Sequence, residues 1–368
     1  MEDNELITVI VPTYNAQPYL AQAIQSILDQ TYKNLEILCI NDGSTDDSLE
    51  TMRAFAARDP RIRVIDKKNQ GYGATCNRGL DEARGTWVAI LEPDDWMEPG
   101  MFEAMIGFAR TFDEPLDIIK TPYWRIFMPG KRAERKLNCG YRRKIKPNAQ
   151  PFKIHEATLL LREHPSIWSA LYRKAFLEEK DIRFPEIPGA GWADNPFLID
   201  TLCQAERIAY LDEPFYCYRE ETPEKAVAFA ESNTFIPFHR WHDMCDELER
   251  LNVSDPDIWE AHYCRGFLYL SGVIEVVSLE DDAVFTEAVR MFDRMDADAV
   301  LSSKIISPGS KKLFARLRML PEPKVDNLAY LKKLIGNGLY NLRNTDIRFT
   351  AYSVVQYLKR HGKRVGHE

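Results

Sequence analysis

Four short apolar runs dominate the first ninety residues: "LITVIV" (6–11), "LEILCI" (35–40), "IRVID" (62–66) and "TWVAIL" (86–91). Helical patterns separate them. One is "PYLAQAIQSILDQ" (18–30), with Leu20, Ile24, Ile27 and Leu28 on one face, and a second lies near 72–84. The polar turn "NDGSTDDS" (41–48) carries Ser and Thr suited to capping the helix that follows. Strands alternating with helices in this way imply an α/β fold of parallel strands joined by crossover helices. Ligands of such open sheets bind beyond the carboxyl ends of the strands. The polar clusters after residues 11, 40, 66 and 91 are therefore expected to converge.

The chain has 368 residues, a length that suits two domains or one domain with a large appendage. From about 116 to 160 the pattern turns to strand and loop, including the basic stretch "GKRAERKLNCGYRRKIK" (130–146), and after about 225 it reads as helical. The expected division is thus 1–225, with halves of about 1–120 and 121–225, followed by a helical region 226–368. The net charge of −8 argues against nucleic acid as a partner. It hides an asymmetry, because residues 301–368 hold 14 Lys/Arg against 4 Asp/Glu. Seven scattered cysteines without CxxC spacing point to a reducing compartment rather than a disulfide framework. The acidic start "MEDNE" is unlike a signal peptide, and the longest apolar run, "FLYLSGVIEVV" (267–277), is too short to span a bilayer. A soluble, cytoplasmic protein is expected.

Several clusters carry candidate chemistry. "VPTYN" (11–15) places Pro12, Thr13, Tyr14 and Asn15 just past the first strand, where the Tyr14 ring suits either base stacking or rim packing. Asp42 ends the second strand, as an acceptor for a ring N–H or as part of a capping turn. "NQGYGATCNRG" (69–79) is neither a dinucleotide fingerprint nor a phosphate-binding P-loop. Gly71 and Gly73 permit close backbone approach to a ligand, and Asn69, Asn77 and Arg78 supply donors. In "LEPDDWMEPG" (91–100), Glu92, Asp94 and Asp95 crowd a strand end around Pro93. Ionised carboxylates so placed need water, a basic partner or a cation. A hard divalent ion that keeps waters and takes phosphate oxygens suits one of them, and a ribose hydroxyl the other. A solvated acidic turn is the plainer alternative.

Taken in order, "VIVPTYN", "INDGSTDDS" and "NQGYGATCNRGLDEARGTWVAILEPDD" resemble the family-2 glycosyltransferases over residues 6–96. That resemblance implies the GT-A (Rossmann-like, nucleotide-diphospho-sugar) fold, a UDP-sugar or other nucleotide-sugar donor, inversion at the anomeric carbon, and a Mn²⁺ or Mg²⁺ ion. It implies that Thr13 and Tyr14 line the base site, that Asp42 meets the uracil edge, and that Asn69 and Asn77 lie near ribose and phosphate. Asp94 is implied at the ribose and Asp95 on the metal. Glu92 stands where the family often has Asp, and Asn41 where it often has a second acid.

Further along, "IWSALYRKAFLEEKDIRFPEIPGAGWADNPFLIDTL" (167–202) resembles the acceptor side of the same enzymes, with Asp194 in the position of the catalytic base. Ala193 replaces the acid that usually precedes it. Inversion needs a carboxylate within about 3 Å of the acceptor hydroxyl, and plain N-capping is the competing role. Trp168 and Trp192 suit sugar stacking or the core, and Arg219 in "YCYRE" (216–220) suits either diphosphate binding or pinning a loop. The expected function is transfer of a hexosyl or N-acetylhexosaminyl unit to a saccharide, lipid-linked or polymer hydroxyl in bacterial surface-polysaccharide or glycoconjugate assembly. Two rivals stand: a catalytically silent nucleotide-sugar-binding scaffold, motivated by Ala193, and a sugar-phosphate nucleotidyltransferase, which lacks its basic triphosphate loop here. The basic 130–146 stretch is read as a solvated hairpin face or a guide for a polyanionic acceptor. Lys311, Lys312, Arg316 and Arg318 beside Leu313, Phe314, Leu317 and Leu320 suit an anionic membrane surface or a docking helix, with homo-oligomerisation also open.

Overall fold

A computed structural model describes residues 5–344 apart from 133, 190, 221–227 and 229. The expected basic tail beyond 344 lies outside the described residues. Strands β1 (Ile7–Thr13), β2 (Leu35–Asp42), β3 (Ile62–Lys67) and β4 (Trp87–Ile90) form where the apolar runs stand. They alternate with helices α1 (Gln17–Leu28), α2 (Ser48–Ala56) and α3 (Tyr72–Glu82). Every residue of β1 and β2 is buried, because helices cover both faces of a parallel sheet.

The chain continues through β5 (Trp96–Met97), α4 (Met101–Ala109), β6 (Ile118–Lys120), β7 (Tyr123–Phe127) and β8 (Arg135–Asn138). Short helices α5 (Leu159–Arg162) and α6 (Lys174–Glu179) flank β9 (Ala170–Arg173). Then come α7 (Asp194–Gln204), β10 (Ile208–Tyr210) and β11 (Tyr216–Arg219). The main sheet has seven strands in the order β10-β6-β9-β4-β1-β2-β3. The expectation of parallel strands holds for β1 to β4, but β9 enters antiparallel between β4 and β6. A smaller sheet, β5-β11-β7-β8, stands beside it. β11 pairs with β5, Cys217 opposite Trp96, so the second sheet begins one residue after the acidic cluster of the "LEPDDW" turn.

The basic stretch forms the β7–β8 hairpin, with Trp124 opposite Asn138. Lys136 and Arg142 lie over the Trp124 ring at 4.6 and 4.9 Å, and Lys136 also pairs with Glu98. These two cations are committed to the hairpin's own surface.

The helices named after β11 among the described residues are α8 (Ile236–Arg250), α9 (Pro256–Val276), α10 (Asp282–Asp293), α11 (Ala297–Ser302), α12 (Pro308–Leu317) and α13 (Asn327–Asn344). Side chains of Asp255, Asp281, Asp296 and Ser307 accept the first N–H groups of α9 to α12, which holds their starts in place. Helix α8 divides its apolar face between two cores. Met244 and Leu248 join the core around the sheet, whereas Phe238, Trp241 and Cys245 join a second core with Phe267, Phe292 and Phe314. The helical region is therefore packed directly on the sheet-bearing part. None of the seven cysteines forms a disulfide, and no helix among the described residues is long and apolar enough to cross a membrane.

Candidate functional site

The loops that leave β1 to β4 meet at one edge of the main sheet, and their polar residues spend much of their capacity on each other. The backbone N–H groups of Asn15, Ala16 and Gln17, at the start of α1, are taken by Ser44 Oγ (3.0 Å), Ser48 Oγ (3.0 Å) and Asp46 Oδ2 (3.1 Å). The Ser and Thr residues of 41–48 were expected to cap α2. Instead they serve α1, because the two loops lie side by side. Asn15 (φ 50°) returns the contact, its Oδ1 accepting from the Thr45 N–H at 2.8 Å. Pro12 and Thr13 are buried at the end of β1, while Tyr14 is exposed and free to present its ring.

Asp42 is buried, and its two oxygens accept from Gln70 N and Gly71 N (2.9 Å each) and from Lys67 Nζ. Expected to read a base edge, its carboxylate is occupied in holding the β3–α3 loop. Asn69 is exposed on that loop.

The glycine-rich motif also differs from expectation. A Cβ on Gly73 would stand 2.1 Å from the Pro185 carbonyl oxygen, and one on Gly71 (φ 93°) would stand 2.6 Å from the Ile187 oxygen. The close approach these glycines permit is to the chain segment 184–189, not to a ligand. Asn77 completes this seam: its amide donates to Phe184 O and accepts from Phe184 N, both at 2.9 Å. The Asn77 amide, expected near ribose and phosphate, is consumed by backbone pairing. This seam couples the donor-side sheet to the loop that leads into α7.

The acidic turn divides its three carboxylates. Asp95 is 1% exposed, and its oxygens accept from Tyr216 Oη (2.9 Å) and from the Arg219 backbone N–H (2.7 Å). The expected metal ligand is thus turned inward to anchor β11. Burial and the neighbouring Asp94 push its carboxyl well above the usual range. Arg219 donates from Nε to the Asp94 carbonyl (2.7 Å) and from Nη2 to Gln22 Oε1 (2.9 Å), between the rings of Tyr19 and Trp96. Of its two expected roles, pinning the loop is the one these bonds perform.

Glu92 and Asp94 are half-buried. Glu92 accepts from Tyr72 Oη at 2.5 Å, and burial, then the charges of Asp94 and Asp194, push its carboxyl up to about 8. Asp194 opens α7 and is half-buried as well. Burial raises it to about 6, opposed by the Arg265 guanidinium and by a hydrogen bond from Asn195. Glu92, at the end of β4, therefore lies within electrostatic reach of both Asp94 beside it and Asp194 at the start of α7. Ala193 is 1% exposed within the sheet core, so an acid there would be buried in apolar surroundings. Trp168 is core, stacked on Tyr216 at 4.0 Å and Tyr218 at 5.3 Å. Trp192 (φ 54°) is half-buried two residues before Asp194.

No group of three or more His, Cys, Asp or Glu side chains among the described residues is arranged to hold a metal ion by itself. A Mg²⁺-like ion does not need one, since it takes one or two carboxylates and completes its shell with water and phosphate oxygens. Hard oxygen donors with an excess of negative charge at the Glu92–Asp94 turn fit such an ion. Tyr72, Tyr216 and Asn195 stand inside the quoted motifs and Arg265 outside them, but none is legible from sequence as a holder of these carboxylates, because Glu92, Asp95 and Asp194 are brought to them only by the fold.

Residues 8–168 match the family model described as glycosyl transferase family 2. The chain is 33% identical over 228 residues to the uncharacterized glycosyltransferase EpsJ of Bacillus subtilis, covering 58% of this chain and 61% of that protein. It is 31% identical over 219 residues to the glycosyltransferase GlyA of Streptococcus pneumoniae, covering 59% of this chain and 31% of GlyA. The chain thus spans less than two thirds of these relatives' own length. Among solved structures, S. aureus TarS 1–349 superposes with a TM-score of 0.61 at 19% identity, covering 85% of this chain and 87% of that segment. The same TarS segment in complex with UDP-GlcNAc gives 0.61 at 18% identity. The fold is accordingly the mixed α/β GT-A fold with a helical C-terminal region, and residues 8–168 resemble glycosyl transferase family 2.

Proposed function

We propose that the protein is an inverting glycosyltransferase that moves a sugar from a UDP-sugar, with a divalent cation, to a hydroxyl of a saccharide, lipid-linked or polymer acceptor. The carrying observation is the convergence of Asp194 with the Glu92–Asp94 turn at the carboxyl end of the sheet. The UDP-GlcNAc complex of TarS, which shares the fold, supports a UDP-sugar as donor. Relatives such as the minor teichoic acid biosynthesis protein GgaB support a setting in surface-polymer assembly. In this division of labour residues to about 225 form the transferase body, and the helices described between 236 and 344 brace it.

In this reading the exposed Tyr14 ring takes the base. Asp94, with Glu92 beside it, holds the cation, which offsets charge on the diphosphate when bound. Asp194 faces the acceptor. The acceptor oxygen bonds to the anomeric carbon as the bond from that carbon to the diphosphate oxygen breaks, and the hydroxyl proton passes to Asp194. A carboxyl near 6 is ionised at neutral pH and still basic enough to accept it. The silent-scaffold alternative, motivated by Ala193, whose position is buried in the core, is separated from this reading by donor turnover.

UDP with Mn²⁺ at about a hundred times its Kd is expected to stabilise the fold by about 2.7 kcal/mol, visible as a melting temperature several degrees higher. UDP-GlcNAc or another UDP-sugar is expected to release UDP. Failure of UDP-, GDP- and dTDP-sugars alike to shift the melting temperature removes the donor assignment, and binding without any release returns the scaffold.

The expected basic helix over 311–320 buries Phe314 in the second core and pairs Lys312 with Glu322 and Arg318 with Asp293, as a docking helix would, so membrane contact is proposed for α13 instead. Leu328, Leu331, Ile335 and Leu339, each more than half exposed, line one face of it, within a segment rich in Lys and Arg. Charge complementarity selects an anionic lipid surface. The protein is expected to sediment with phosphatidylglycerol vesicles and not with phosphatidylcholine vesicles, and Leu331→Asp with Ile335→Asp to abolish this. Equal sedimentation of that double variant, or a soluble dimer that it dissolves, overturns the membrane assignment.

A further inference from the structure

The orientation of Asp194 is set from outside the family-matched segment. Arg265, on α9, is 2% exposed. Its Nε donates to Leu161 O at 2.7 Å and its Nη2 to Glu163 O at 2.5 Å. Its Nη1 reaches Asn195 Oδ1 at 3.0 Å and Tyr269 Oη at 3.1 Å. Tyr269, one turn further along α9, donates to the same Asn195 Oδ1 at 2.6 Å. The buried Asn195 amide then donates to Asp194 Oδ1 at 3.2 Å and to Trp192 O at 3.4 Å. A continuous relay thus runs from α9 to the carboxylate. All four of these guanidinium bonds go to neutral oxygens, so the charge is left to act through space. Asp194 is a group on which it acts.

We propose that Arg265 is a positioning residue for Asp194, working through Asn195 and Tyr269 to orient the carboxylate and to balance its charge. The inference rests on Asp194 being the base. It also gives the helical region a role in the chemistry, since α9 carries both Arg265 and Tyr269.

Other groups face Asp194 and bear on its charge. Tyr72 and Cys76 come from α3, Tyr172 from β9 and Tyr218 from β11, all pushed up by burial and so neutral near pH 7. Tyr269 is raised for the same reason. The Asp194 charge helps push the Glu92 carboxyl up to about 8, and the cation that favours ionisation of Asp194 is Arg265.

The test is a carbon-13 titration of the aspartate carboxyls in the full chain, with the Asp194 signal identified by its loss in Asp194→Asn. UDP release from UDP-GlcNAc with Mn²⁺ is measured on the same samples. In Arg265→Gln the Asp194 midpoint is expected to rise by about one pH unit, and kcat to fall at least tenfold with little change in UDP-GlcNAc affinity. Arg265→Lys is expected to restore the midpoint but not kcat, because a point charge replaces the fork. Tyr269→Phe, a gentler change should Arg265→Gln fail to fold, is expected to lower kcat with the midpoint held. An unmoved midpoint in Arg265→Gln, or wild-type kcat in Tyr269→Phe, overturns the proposal. Turnover retained in Asp194→Asn overturns the base assignment itself, and the two failures are thereby distinguished.

Discussion

Asp194→Asn is expected to lower sugar transfer by about 10²–10⁴-fold, the range a positioned general base supplies, while raising the melting temperature at pH 7.5. Both effects have one origin. Burial lifts the Asp194 carboxyl to about 6, above its unfolded value near 4. The folded state then holds its proton more tightly than the unfolded state. The stability so contributed is present below pH 4 and is lost as pH rises through 6. At pH 7.5 the wild-type protein keeps a half-buried charge that Arg265, backbone N–H groups and the Asn195 side chain offset in part, and the neutral amide removes that cost. In the wild type, kcat/KM is expected to climb with pH through about 6 as the base ionises. Equal rates for wild type and Asp194→Asn, or a flat profile from pH 5 to 7, would remove Asp194 from the chemistry.

The second large effect separates the adjacent acids. Asp94→Asn is expected to leave the melting temperature nearly unchanged and to abolish the Mn²⁺ dependence of UDP binding, measured by calorimetry with and without chelator. Asp95→Ala is expected to do the opposite first. It leaves Tyr216 Oη and the Arg219 N–H without their acceptor beneath the turn, at a cost of about 2–4 kcal/mol. Its unfolding midpoint in urea falls accordingly. If Asp95→Ala folds as well as wild type but no longer responds to Mn²⁺, the assignment reverts to Asp95.

That exchange shows where sequence reading stopped. Asp94 and Asp95 are adjacent identical acids at a strand end, and a resemblance assigns them by motif order. Which one turns inward depends on β11, more than a hundred residues away, whose Tyr216 and Arg219 claim Asp95. The same holds for Gly71, Gly73 and Asn77. Their types announce close approach and hydrogen bonding, but the partner proved to be segment 184–189 rather than a ligand. Ser44 and Ser48 likewise were legible as N–H acceptors, yet they serve α1 because its loop runs alongside theirs.

Local properties were therefore readable from the chain alone. Strand runs, helix faces, the convergence of four polar loops and the position of Asp194 at a helix start all follow from periodicity and from groups that must be satisfied nearby. The antiparallel entry of β9, the inward turn of Asp95 and the relay from Arg265 to Asp194 do not. Each is decided by a partner distant in sequence, and a buried polar group takes whichever partner the packed fold places within about 3 Å. Periodicity carries no record of that partner, so only the tertiary structure selects it.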